Sequence, residues 1–253
     1  DEADQMLDMG FIHDIKKIAN LLPDRRQNLM FTATFSDSFR SLATNMAEKA
    51  IEISVTNDNE TGENINHFIH PVDKSRKAEL LIELIKTKKW DQALVFTRTK
   101  HGADRLQKQL DKVNIHSKAI HGNKTQNNRM KALEAFKNNK IQILVATDVA
   151  ARGIDIKRMS QVINFDVPTV AKDYVHRIGR TGRGGDMGEA ITLVSADEFR
   201  LLRDIEKLIN KKLERVEIEG FEPEHVVPTK NKPNKKRFHN KKGFKKRNKS
   251  RKG

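Results

Sequence analysis

The sequence predicts an α/β fold, a parallel sheet with helices on both faces. Three observations carry that reading. From residue 65 onward, short β-branched runs alternate with longer amphipathic stretches, the pattern of strands that pair in parallel through helical crossovers. Cysteine is absent, so neither a disulfide framework nor a cysteine metal cluster organises the chain. No apolar run approaches the roughly 20 residues of a membrane span, so the 253 residues must bury their apolar faces on one another. That length allows one large domain or two small ones.

The elements follow in order. Met6, Leu7, Met9, Phe11, Ile12, Ile15, Ile18 and Leu21 recur at helical spacing, and Pro23-Asp24 breaks the pattern. Asn28 to Ala33 is a short apolar run, expected as a buried strand. Ser36 and Asp37 are capping residues for a helix carrying Phe39, Leu42, Ala43 and Met46. Ile51 to Val55 alternates as a strand does. Thr56 to Glu63 contains no apolar residue and reads as an interdomain linker.

The regular alternation begins after it. Strands are expected over 65–72, 93–97, 117–121, 141–147, 162–165 and 190–194. Helices are expected over 75–86, 101–112, 125–138 and 199–210. Apolar residues such as Leu81, Ile82 and Ile85, or Leu106 and Leu110, share one face of each helix. The expected division is 1–56 as a first unit, 57–63 as linker, 64–215 as a second unit and 216–253 as a basic disordered tail.

In open parallel sheets, ligands gather at the carboxyl ends of strands. That rule selects the loops after Phe96, Ile120, Ala146 and Phe165. The first reads Thr97-Arg98-Thr99-Lys100. The second, His121-Gly122-Asn123-Lys124-Thr125-Gln126, opens a helix with Arg129 one turn in, and free amides at a helix start suit phosphate. The third runs from Thr147 to Asp155, and a carboxylate such as Asp155 could accept a ribose hydroxyl. A Gly-x-x-x-x-Gly-Lys-[Ser/Thr] phosphate loop occurs nowhere in the chain.

Tyr174 to Arg183 is the densest polar stretch. Arg177, Arg180 and Arg183 fall three apart, so on one helical turn their guanidinium groups could converge. Gly179 and Gly182 leave room for a close approach. Guanidinium forks onto phosphate oxygens and can neutralise charge in a phosphoryl-transfer transition state. An exposed basic helix is the plainer alternative. Four polar loops on one sheet edge beside these arginines favour the site.

Formal net charge is +15. Residues 229–253 hold 13 Lys and Arg and no acid, and subtracting them leaves +2 for residues 1–228. The tail is therefore the polycation, with Phe238, His239 and Phe244 interleaved, a composition suited to disorder and to nucleic-acid backbones.

Asp1-Glu2-Ala3-Asp4, Thr32-Ala33-Thr34, Ala151-Arg152-Gly153-Ile154-Asp155 and His176-Arg177-Ile178-Gly179-Arg180-Thr181-Gly182-Arg183 stand in one order. Together they resemble the motifs of DEAD-box RNA helicases over residues 1 to about 215. Met9-Gly10-Phe11, the 96–102 stretch and the basic tail look most like the bacterial RhlE-type branch. The resemblance implies RecA-like lobes that close on ATP and RNA in a cytoplasmic enzyme. It implies that Asp1 holds Mg²⁺, usually through water, and that Glu2 positions and deprotonates the attacking water. Asp4, Thr32, Thr34, His176 and Arg177 would couple the lobes. Asp155 would bind the ATP ribose, and Arg180 and Arg183 would reach the γ-phosphate. Thr99, Gly122, Gln126, Arg129 and Thr147 would hold the RNA backbone.

Two departures matter. The family normally has Ser-Ala-Thr where this chain has Thr32-Ala33-Thr34, and Thr keeps the hydroxyl. The phosphate loop, the adenine-reading glutamine motif and the first-lobe RNA motifs, which should precede Asp1, are not in the sequence. The expectation is the end of lobe one, a linker, the whole of lobe two and a tail, inactive alone. A non-catalytic RNA-binding or annealing module is the rival reading. A DNA helicase of the same superfamily fits the tetrapeptide and Thr-Ala-Thr less well.

Overall fold

The computed structural model describes residues 1–32, 37–46, 50–54, 64–151, 159–182 and 187–228. The N-terminal part holds α1 (Ala3–Asp8), α2 (Ile12–Asn20) and α3 (Asp37–Met46). The regular part follows as β1 (Ile65–Pro71), α4 (Lys77–Thr87), β2 (Ala93–Phe96), α5 (Lys100–Asp111), β3 (Ser117–Ile120) and α6 (Gln126–Lys137). It continues as β4 (Ile143–Ala146), α7 (Asp148–Ala151), β5 (Gln161–Asn164), α8 (Ala171–Ile178), β6 (Gly188–Val194), α9 (Phe199–Leu208) and β7 (Glu214–Arg215). Short 3₁₀ turns at Lys74–Arg76 and Ala196–Glu198 lead into α4 and α9.

The strands form one seven-stranded sheet in the order β3-β4-β2-β5-β6-β1-β7. Every pairing is parallel. Register carries apolar rows straight across: Val95 pairs with Val145 and Ile163, Ile163 with Ile191, and Ile191 with Phe68.

Successive strand residues point to opposite faces, and both faces are covered. Ala93 and Val95 of β2 and Ile143 and Val145 of β4 meet Leu81, Leu84, Leu106 and Leu110 of α4 and α5. Their neighbours Leu94, Phe96, Leu144 and Ala146 meet Phe136 of α6 and Ala150 of α7 on the other face. Further along that face, Ala190 and Val194 of β6 pack on Tyr174 and Ile178 of α8 and Leu202 and Ile205 of α9. Burial on both sides explains why β2 and β4 read as unbroken apolar runs. Each Val, Leu, Ile or Phe among these side chains contributes about 1.5–3 kcal/mol when fully buried. Helix starts are fixed locally: the Thr99 and Thr125 hydroxyls accept from Gly102 N and Asn128 N, as capping residues do.

Three expectations need correction. Residues 28–32 of the Asn28–Ala33 run form no strand, and Leu29 and Phe31 are exposed. One backbone bond, Ala3 N to Phe31 O at 3.1 Å, ties this run to α1. Residues 51–54 also form no strand, with Ile51 and Ile53 exposed. The reason is shared: among the described residues no neighbouring strand offers either run a ladder, and a lone strand does not hold. Third, residues 216–228 are no free tail. Val216, Ile218 and Phe221 join the core beneath α4, and Val227 joins the core beneath α9. Ser36, the 57–63 linker and residues 229–253 lie outside the described residues.

Candidate functional site

The strand order decides the site. β3, β4, β2 and β5 are consecutive in the sheet although not in sequence. Their carboxyl-end loops, the four that the sequence singled out, therefore lie side by side.

Through β3, β4 and β2, these loops are stitched together. Lys100 Nζ donates to Asn123 Oδ1 at 3.1 Å, joining the loops after β2 and β3. Thr99 is the exposed cap of α5, its hydroxyl accepting from Gly102 N at 2.9 Å. Gly122 sits exposed in the turn after β3 with open space where a Cβ would stand. Gln126 begins α6 and accepts from Arg129 at 3.2 Å. Arg129 also donates to Ala150 O at 3.2 Å, reaching the loop after β4, and its buried Nε has no hydrogen-bond partner among the described residues. Thr147 starts that loop with its carbonyl accepting from Ala150 N and Ala151 N. The five sequence-selected residues thus share one edge, with Thr99, Gly122 and Gln126 exposed, Thr147 buried, and Arg129 turned onto Gln126 and Ala150; hydroxyls, amides and a guanidinium group are the donor types that grip phosphate and sugar.

Arg177 behaves differently from the expectation of three converging arginines. The helix ends at Ile178, and Arg177 is buried at 2% exposure. It pairs with Asp148 through two nitrogens, at 2.5 and 2.8 Å. It also donates to Asn164 Oδ1 at 3.1 Å and Asp166 O at 2.8 Å, and stacks over the Phe96 ring at 5.1 Å. Every face of the guanidinium is used inward, so Arg177 locks α8 to the ends of β4, β5 and β2. A fully satisfied fork of this kind is a rigid strut. Of the two arginines of this stretch among the described residues, Arg180 lies past the helix end and faces Glu2.

Arg180 meets Glu2. The guanidinium lies 3.3 Å from the Glu2 carboxylate. Beside it, His176 Nε2 is 3.7 Å from Asp4 Oδ2, and Asp4 is buried. Asp1 Oδ1 accepts from Glu2 N at 2.8 Å, and Glu2 adopts φ 53, a left-handed conformation uncommon outside glycine. Thr32 follows Phe31, whose carbonyl holds α1. One cleft is lined by Phe96, Asp148, Ala151, Asp173, His176, Arg177 and Arg180. Thr34, Asp155 and Arg183 lie outside the described residues.

A metal-bound triphosphate fits one side of this arrangement. The Glu2 carboxylate stands against the Arg180 guanidinium, and the Asp1 carboxylate, which accepts from the Glu2 amide, is its chain neighbour; acids beside a guanidinium are the groups that a divalent cation and a terminal phosphate require. The opposite side of such a ligand needs a backbone cradle, and the sequence contains no phosphate loop to form one.

Several structural partners were missed by sequence reasoning. Glu198 accepts from Lys77 Nζ at 2.5 Å, Arg98 at 2.7 Å and Val167 N at 3.2 Å. The Arg98 backbone amide also donates to Asp166 Oδ2 at 2.9 Å. This buried cluster clamps the loops after β2 and β5. Burial pulls the Lys77 ammonium below the usual lysine range, opposed by the Glu198 charge. The Ser195-x-x-Glu198 spacing, a capping box in the structure, was its one signal in the sequence.

Comparison with known proteins matches this architecture. The DEAD/DEAH box helicase family matches residues 1–42, and the helicase conserved C-terminal domain matches residues 76–185. The DEAD-box ATP-dependent RNA helicase RhpA of Helicobacter pylori is 40% identical over 229 residues, covering 90% of this chain and 46% of that protein. CshA of Geobacillus kaustophilus is 41% identical over 216 residues, 85% of this chain and 46% of that protein. The chain therefore spans about half the length of the curated relatives it matches. Among solved structures, S. cerevisiae Dbp5 bound to RNA and ADP BeF3 aligns with TM-score 0.75 and 30% identity, over 85% of this chain and 58% of that one. The E. coli DEAD-box protein SrmB, solved with the regulator RraA, aligns with TM-score 0.63 and 34% identity, over 66% of this chain and 99% of that one. With both family motifs matched and the whole SrmB chain covered at that identity, the protein belongs to the DEAD-box ATP-dependent RNA helicase family.

Proposed function

We propose that this chain supplies the closing half of an ATP-dependent RNA helicase that opens short structured RNA in the cytoplasm. The observation that carries the reading is the Glu2–Arg180 contact at 3.3 Å. It sets an acid from the Asp-Glu-Ala-Asp segment against an arginine of the sheet-bearing part. Division of the chain into a lobe-one remnant over 1–56, a linker and a second lobe supports an interface between lobes at that contact. Branch membership of the RhlE type rests on Met9-Gly10-Phe11, the 96–102 stretch and the basic tail.

In this reading, Asp1 would hold Mg²⁺, and the ion would supply charge neutralisation at the phosphates. Glu2 orients and deprotonates the water. Arg180 and Arg183 balance charge growing on the γ-phosphate, and Asp155 holds the ribose. Asp4, Thr32, Thr34 and His176 report lobe closure, while Arg177 braces the site through Asp148. Thr99, Gly122, Gln126, Arg129 and Thr147 hold the RNA backbone without reading bases. Residues 229–253 tether RNA by counterion release. Without a phosphate loop, the chain by itself does not turn over ATP.

The test is RNA-stimulated ATP hydrolysis by the protein extended upstream to include a phosphate loop. Arg180→Ala should lower turnover by about 10³ or more, the effect of removing a finger arginine, with RNA affinity changed less than about threefold. Equal losses in both quantities would make Arg180 an RNA contact.

A further inference from the structure

We propose that the outer face of α9 is a second RNA-backbone surface, which carries strand that has left the cleft toward the basic tail. The proposal deepens the RNA-binding reading above and rests on it. Arg200, Arg203 and Lys207 lie on α9, and Lys211 follows in the turn after it; all four are exposed. At 3.6 residues per turn they fall within about a quarter of the circumference. The opposite face, Leu202, Ile205 and Ile209, is buried in the core. None of the four side chains has an ion pair or hydrogen bond among the described residues. Some surface cations, such as Lys74, Lys88 and Lys124, are paired with Asp197, Glu189 and Asp104, and others, such as Lys86 and Arg105, are exposed like the α9 four; what sets the α9 group apart is its alignment on one helix face. Of the two acids on the helix, Glu206 is turned to Leu213 N at 3.2 Å, and Asp204 remains exposed.

A second observation is independent of charge. Val227 packs with Leu202, Ile205 and Ile209, and Arg215 donates to Val227 O at 2.7 Å and to Pro228 O at 2.8 Å. The chain is thus anchored beside α9 at the residue before the polycationic segment begins. Since β6 runs parallel to its neighbours, α9 starts at the sheet edge that bears the four loops and runs back from it. Arg200 is nearest the cleft. The row from Arg200 to Lys207 extends about 10 Å at 1.5 Å per residue. The loop edge and the helix face thus lead to the point where the polycationic sequence begins, and exposed cations in a row are what a phosphodiester strand neutralises.

The experiment measures binding of a fluorescent 30-nucleotide oligouridine and a 6-nucleotide one to the full 253-residue chain, across salt concentration. The variant R200Q/R203Q/K207Q changes exposed side chains only, and its unfolding midpoint should match the parent. It should bind the long RNA about tenfold more weakly at low salt. Its log–log salt slope should be shallower by about 2, three contacts at roughly 0.7 each for a single strand. Binding of the short RNA should stay unchanged. Unchanged affinity and slope for the long RNA, while Arg129→Ala weakens both RNAs, would overturn the α9 surface and leave the RNA-binding reading intact. Loss of polyglutamate binding without loss of RNA binding would reassign the face to an acidic protein. Absence of RNA binding by the parent chain would overturn both readings.

Discussion

Residues 1–54 and residues 64–228 carry equally clear amphipathic signals and meet different fates. In the second part, α9 buries Phe199, Leu202 and Ile205, and each strand of β1 to β6 has a parallel neighbour. In the first part, α2 buries no residue, and Leu21, Phe31, Ile51 and Ile53 are exposed. Only Ala3, Asp4, Phe39 and Leu42 are buried there among the described residues. Amphipathicity states that a face requires a partner; it does not supply one. An apolar face stabilises only when water leaves it, so the first part depends on what packs against it, and the second closes on itself.

The largest effect expected from this contrast is kinetic. Trypsin should cut at Lys16, Lys17, Arg25 or Arg26 at least about a thousandfold faster than at lysines within α4 to α9. Local opening of the first part should cost little, and the second should open only with its whole core. Limited proteolysis followed by mass spectrometry checks this. A protected core that contains 1–54 and loses 64–228 would break the comparison.

A second test acts inside the closed part. Glu198→Ala removes the carboxylate that Lys77 and Arg98 share. It should destabilise by about 3–5 kcal/mol, the usual result of removing one partner from a buried charge cluster. Chemical denaturation reads it. A loss below about 1 kcal/mol would mean that the cluster adds nothing to the clamp on the loops after β2 and β5.

The next effect depends on pH. His67 is buried against Tyr174 O, Nδ1 lying 3.1 Å from the hydroxyl, and burial, with the Lys211 charge adding, lowers its pKa to about 4. Above the ordinary value near 6.5 both folded and unfolded forms are neutral, and the residue has no pH effect. As pH falls from 6.5 toward 4, the unfolded chain takes a proton that the folded chain refuses. Stability should therefore drop with a slope of up to about 1.4 kcal/mol per pH unit, and His67→Phe should flatten that slope. An unaltered slope in the variant would assign the acid sensitivity elsewhere.

The smallest expected effect sharpens the comparison from the other side. Leu21→Ser on the exposed face of the first part should change the unfolding free energy of the chain by less than about 0.5 kcal/mol, as surface changes usually do. A loss above 1 kcal/mol would show that Leu21 is buried in solution.

By itself the sequence determined the alternation of strands and helices, the four polar loops and the family motifs, because each is local. Period two or 3.6, a Thr at a helix start and a short unbroken apolar run are written within a few residues of chain. Three things waited for tertiary structure. The order β3-β4-β2-β5-β6-β1-β7 is a choice among pairings with similar apolar strands, and it alone brings the four loops together. Arg177 was legible as a charged group, and its inward turn onto Asp148 and Asn164 was not, because those acceptors come from α7 and β5, which only the fold places beside α8. The runs at 28–32 and 51–54 read as strands and are none, since a strand exists by hydrogen bonds to a neighbour, and no local sequence specifies whether that neighbour is there.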